Sequence, residues 1–252
     1  MAPEQIATVR NSQTSEAWSE DRTPFKHVLR LDAATYRVDS IFDVPPALPN
    51  SCSEGEVVFS PNGNFAYQNR ILPEGQPLRL YGKQEGIVVW NGDVTIPMLI
   101  DLKRQCNTGE HFFPDTPLEH RVRFGAIWMS LTPMEMLTQR SAVRLASHTV
   151  VIGGLGLGWL LRKVCQKPEV ERVIVVEKSQ ELLDWYGFKL CGRFEKVAEV
   201  ICDDIYRQIG KHGFAARYLL DIWPLYSGAA NDYRLVPFRR KLKRRLWAWG
   251  LN

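Results

Sequence analysis

From about residue 125 onward, apolar residues fall into alternating strand-like and helix-like runs. Val150-Val151-Ile152, Val173-Ile174-Val175-Val176 and Tyr218-Leu219-Leu220 are short and continuously apolar, the pattern of strands covered on both faces. The series predicts strands over 149–152, 170–177, 199–202 and 216–221. It predicts helices over 134–146, 158–166, 179–189 and 205–211. Thr132, Pro133 and Glu135 read as N-cap, first helical residue and capping-box partner of the first helix. A β-α-β-α order implies a parallel, doubly wound sheet with right-handed crossovers.

The first half has a different texture. Residues 1–22 are polar with few apolar anchors and read as a flexible tail. From 23 to 125, short apolar runs are broken by turn signals. Glu56-Val57-Val58-Phe59 precedes Pro61-Asn62-Gly63-Asn64, and Ile87-Val88-Val89-Trp90 precedes Asn91-Gly92. An Asn-Gly pair between β-prone runs predicts a hairpin, because both central residues take positive φ. The expected architecture is α/β. A small antiparallel β-rich domain (23–125) precedes a Rossmann-like, doubly wound, mostly parallel sheet (126–252) that stops after its fifth strand.

Composition narrows the function classes. No run approaches the roughly 18 to 20 apolar residues of a membrane span, and the N-terminus lacks an apolar signal segment. Five scattered cysteines form no CxxC pair, and the five histidines show no metal spacing. These features point to a reducing, cytoplasmic setting without a metal. The net charge of +4 is local: Arg239, Arg240, Lys241, Lys243, Arg244 and Arg245 carry six positive charges, and without them the chain would stand at −2. Such a run could bind nucleic-acid phosphates. Helically spaced cations on a crossover helix nevertheless read first as a solvated face.

Candidate chemistry begins where the strand Val150-Val151-Ile152 runs into Gly153-Gly154-Leu155-Gly156-Leu157-Gly158. A side-chain-free bend lets the backbone turn tightly and a ligand approach. The spacing is GxGxG, with Trp159 where dinucleotide enzymes carry their last glycine, which argues against NAD or FAD. Glu177 ends the second strand about 20 residues on, placed to accept bonds from ribose hydroxyls. Asp203 and Asp204 follow the third strand, and Asp221 ends the fourth. Ligands of such sheets bind outside the carboxyl ends of the strands, where all these residues fall.

The stretches His148–Gly154, Arg162–Glu171 and Val175-Val176-Glu177 resemble the cofactor domain of spermidine synthases. More broadly they resemble the class I S-adenosylmethionine-dependent methyltransferase superfamily, over roughly residues 125–225. The resemblance implies that the glycine turn holds the methionine part of S-adenosylmethionine, Glu177 the ribose and Asp204 the adenine amino group. Two departures stand out. Gly156 occupies the position of an Asp in polyamine synthases, and Asp221-Ile222-Trp223-Pro224 keeps only the first carboxylate of their Asp-x-x-Asp-Pro.

The reading that follows is a methyltransferase of unidentified acceptor, with Asp221 aligning the nucleophile. An aminopropyl- or alkyl-transferring relative of spermidine synthase, and a non-catalytic nucleoside-binding or scaffold module, stand as alternatives. Asp221-Ile222-Trp223-Pro224-Leu225-Tyr226 resembles in part the Asp/Asn-Pro-Pro-Tyr/Phe segment of nucleic-acid amino-methyltransferases. Trp223 nevertheless reads first as packing beneath a substrate lid, and Trp247 and Trp249 as buried strand residues. A helix over 237–244 and a strand over 246–249 complete the sheet. Its edge would be covered by the β-rich half or by a second subunit.

Overall fold

In the computed structural model, residues 7–8, 27–32, 57–75, 78–80, 86–106, 110–213, 216–224 and 228–251 are described. Strands of the first half are β1 (Ala7–Thr8), β2 (His27–Asp32), β3 (Val57–Phe59), β4 (Phe65–Leu72), β5 (Leu78–Leu80), β6 (Gly86–Asn91) and β7 (Val94–Gln105). Helix α1 (Leu118–Phe124) then leads into β8 (Gly125–Ser130). Two four-stranded sheets result, in the orders β1-β2-β6-β5 and β3-β4-β7-β8. Apart from Ala7–Thr8, which pair with β2, the expected N-terminal tail lies outside the described residues.

Two expectations for this half are corrected. Asn91-Gly92 does not close a hairpin: β6 and β7 belong to different sheets, and the turn carries the chain between them. β4 and β8 already occupy the two edges of β7, and β2 and β5 those of β6, so the strands have no free edge to share. Gly92 keeps the left-handed conformation (φ 91°) that such a turn requires. The first sheet is also not purely antiparallel, because β2 and β6 run parallel.

The second half begins with α2 (Pro133–Leu145) and alternates as the sequence predicts. The order is β9 (His148–Gly153), α3 (Trp159–Cys165), β10 (Val170–Glu177) and a helical stretch comprising α4 (Gln180–Leu182), a π-turn (Leu183–Gly187) and α5 (Phe188–Cys191). β11 (Val197–Cys202), α6 (Ile205–Gln208), β12 (Arg217–Leu220), α7 (Gly228–Asn231), α8 (Val236–Leu242) and β13 (Leu246–Ala248) follow. All five strands pair parallel, in the order β11-β10-β9-β12-β13. The arrangement is compatible with a Rossmann-like fold.

Period-two alternation assigns each strand residue to a face. Val150, Ile152, Val173, Val175, Leu219 and Trp247 point into one core, shared with Phe65, Tyr67, Leu99 and Met129 of the antiparallel sheet. Val151, Ile174, Val176, Tyr218, Leu220 and Leu246 point into the other, with Ile205, Leu235 and Leu242 from the covering helices. The strands are continuously apolar because both faces are buried. At the β13 edge, the indole N–H groups of Trp247 and Trp249 donate to Ser141 Oγ and Thr138 Oγ1 of α2, each at 2.8 Å.

The two halves are also joined by polar contacts. Glu181, in the first turn of α4, accepts bonds from the Ser60 hydroxyl, the Asn62 and Asn64 amides and the Asn64 side chain in the β3–β4 turn.

Candidate functional site

At the carboxyl end of β9 the chain enters the glycine turn. Gly154, Gly156 and Gly158 have φ of 86°, 50° and 80°, a left-handed path that glycine takes without steric cost. Space is equally restrictive. A Cβ on Gly153 would meet Ile205 and Leu220, and one on Gly154 the backbone oxygen of Asp221. On Gly156 it would meet Met129 Sδ, and on Gly158 Leu190; every one of these approaches is closer than 3.0 Å. The chain's own atoms therefore account for all four missing side chains.

Glu177 faces the turn. Its Oε2 accepts the Leu155 N–H at 2.8 Å and its Oε1 the Ser179 N–H at 2.8 Å. Burial raises its pKa, and backbone donors only partly offset that. A carboxylate has about four acceptor sites, so capacity for further donors remains. The turn is gripped from two other sides: the Leu157 N–H points at Met129 Sδ (2.9 Å), and the Tyr186 hydroxyl donates to the Gly156 carbonyl. Tyr186 reaches there from the π-turn, a local widening often found at functional positions.

Asp203 and Asp204 lie on the same rim, and the Asp203 amide donates to the Glu177 carbonyl (3.1 Å). Their carboxylates do not join Glu177. Asp204 caps α6 through the Tyr206 N–H (3.0 Å) and pairs with Lys178 (3.3 Å). Asp203 accepts from Gln208 Nε2 (2.6 Å) and its neighbour's amide and pairs with Arg207; these bonds hold its pKa low, the one from Gln208 foremost.

Asp221 follows β12, across from the turn. Its amide donates to the Gly153 carbonyl (3.0 Å), and its Oδ2 accepts from Gln139 Nε2 at 2.5 Å. Burial pushes its pKa up to about 7. Behind it stands Glu135, pushed up to about 8 by burial and then by the Asp221 charge. Glu135 Oε2 accepts both the amide (2.9 Å) and the hydroxyl (2.7 Å) of Ser130, so its side chain does not close the capping box. Only the other half of that box forms, the Glu135 amide donating to Thr132 Oγ1 (3.3 Å). Gln139 is fully buried, and its Oε1 has no partner among the described residues.

Glu135 was read only as a capping-box partner and Gln139 not at all, although they sit four residues apart on the stripe of α2 that buries Ala142 and Ala146. Polar side chains on a buried helical stripe were the available signal. Met129 and Tyr186 carried none, because each resembles an ordinary core residue until the chains are brought together.

After Asp221, Trp223 is buried and donates to Asp232 (3.2 Å), in line with its reading as a packing residue; Leu225 and Tyr226 lie outside the described residues. Asp232 also accepts from the Tyr206 hydroxyl (2.7 Å) and from Arg234 (2.9 and 2.6 Å). These donors, Arg234 first, hold its carboxyl well below the usual range. The loop after β12 is thereby tied to α6.

His111, His120 and His148 are exposed. Burial pushes the Cys165 and Cys191 thiols up to about 12, so neither is a nucleophile at neutral pH. Among the described residues no group of three or more His, Cys, Asp or Glu is arranged to hold a metal ion, and no helix is long and apolar enough to cross a membrane. Comparison with protein-family models, curated proteins and solved structures returned no match to this chain.

Proposed function

We propose that the chain is an S-adenosylmethionine-dependent methyltransferase whose acceptor is aligned at Asp221. One observation carries the reading: the glycine turn, closed by Glu177, and Asp221 flank the point between β9 and β12 where the strand order reverses. Crevices at such switch points are where Rossmann-like sheets take their ligands. Glu177 would hold a ribose hydroxyl with the acceptor capacity that its backbone donors leave, and Asp204 would face the adenine from the neighbouring strand tip. The bound cofactor would supply an activated methyl group, and the protein's part is alignment. Asp221, poised at about 7, has the proton affinity to accept an acceptor's proton near neutrality, with burial setting that affinity and the Gln139 bond opposing it in part. The fit makes one demand: Met129 must swing off Gly156, which its three rotatable bonds allow.

Thermal shift with S-adenosylmethionine and S-adenosylhomocysteine tests the reading. A ligand at 100 times its Kd adds about 2.7 kcal/mol, or roughly 5–10 °C for a chain of this size. Glu177→Gln should abolish the shift. Absence of any shift, in the wild type and in Met129→Ala alike, would refute the cofactor. Met129 packed on Gly156 favours a second reading, a scaffold whose turn is filled by its own chain; that protein would show no shift in either background.

A further inference from the structure

Helix α8 and the 3-10 turn Lys243–Arg245 form a basic ridge unrelated to the crevice. Leu235, Leu242 and Leu246 are buried beneath it, and Phe238 packs near Tyr206 with ring centroids 6.1 Å apart. These anchors fix the inner face of α8. Outward, Arg239, Arg240, Lys241, Lys243 and Arg244 are exposed, and none forms an ion pair among the described residues. No acid occurs from Tyr233 to Asn252. The fold adds another cation, because Lys241 Nζ lies 3.8 Å from where a Gly210 Cβ would stand, beside exposed Lys211.

α8 spans seven residues, about 10 Å. That is close to the Debye length of about 8 Å at physiological salt, so the fields of these cations add. With no acid of its own to offset them, the ridge is complementary to a polyanion. A membrane-surface helix would need its apolar side free, and here that side is spent on the core. Tyr233, just before α8, is 82% exposed, an aromatic face available for base stacking.

We propose that this ridge binds single-stranded nucleic acid, with phosphates along Arg239, Arg240, Lys241, Lys243 and Arg244 and a base on Tyr233. The chain from Lys243 to Arg245 leads into the amino end of β13, whereas the crevice lies at the carboxyl ends of the parallel strands. The basic turn is therefore remote from the crevice, while Tyr233, next to the Asp232 that Trp223 and Tyr206 bond, stands at the crevice end; the cation substitutions are testable apart from the crevice.

The test is fluorescence anisotropy with the full chain and a labelled single-stranded RNA of about 16 nucleotides. Five phosphate contacts predict a log–log salt slope of about −3.5, a loss of about 100-fold in affinity between 50 and 200 mM salt. Replacing Arg239, Arg240, Lys243 and Arg244 together with Gln should reduce the slope by about 2.8. Tyr233→Ala should cost about tenfold in affinity and leave the slope unchanged. These exposed positions leave the melting temperature as a folding control, and single Arg240→Glu repeats the test with one change. No binding at 50 mM salt, an undiminished slope in the Gln variant, or capture by phosphatidylserine vesicles in place of RNA overturns the proposal. Any thermal shift with S-adenosylmethionine should be the same in wild type and Gln variant.

Discussion

Replacing Glu135 with Gln should stabilise this protein near neutral pH and do nothing in acid. The carboxyl is buried, and its pKa moves from 4.5 to about 8. Above about pH 4.5 the unfolded chain releases this proton while the folded chain retains it. Folding stability therefore declines as pH rises through that window, by about 1.4 kcal/mol per unit for each such group. Between about pH 4.5 and 6.5 that amounts to roughly 2.7 kcal/mol. Part of the shift comes from Asp221, which is itself mostly protonated at pH 6.5, so the working figure is about 2 kcal/mol. A Gln oxygen can still accept from the Ser130 amide and hydroxyl, so the variant loses the charge and keeps the bonds. Differential scanning calorimetry should show a gain of roughly 4–8 °C at about pH 6.5 and none at about pH 4.5. Coupling provides an internal check: adding Asp221→Asn should give less than the sum of the single effects. A melting difference that stays the same at both pH values, or a loss at both, would refute the buried-acid argument.

Three further outcomes follow from the same geometry. Gly154→Ala should cost more than about 3 kcal/mol in chemical denaturation, because its Cβ would strike the Asp221 backbone, while Gly63→Ala, left-handed (φ 67°) but facing open space, should cost only about 1 kcal/mol. Gly156→Ala should fall between them, since the obstacle is a methionine side chain that can turn aside. Glu181→Ala should destabilise by about 1–3 kcal/mol and expose the β3–β4 turn to limited proteolysis, because it strips the acceptor from Ser60, Asn62 and Asn64.

Much of the second half was legible because local chemistry and global fold agree there. Continuous apolar runs bounded by Gly, Pro and acidic caps can settle only as strands buried on both faces, and β9, β10, β12 and β13 fell where those runs lie. The Thr132-Pro133 start, the glycine turn and the positions of Glu177 and Asp221 at strand tips were readable for the same reason: each follows from neighbours a few residues away. Partner choice is not local. Asn91-Gly92 has hairpin chemistry, yet which strand lies beside β6 depends on edges filled by residues far along the chain. Met129 reaches Gly156, Tyr186 reaches the same turn and Gln139 reaches Asp221 across separations that no spacing rule encodes. Those long-range contacts decide which backbone donors remain for a ligand and which carboxyls lose their water, so the chemistry of the crevice was set by packing.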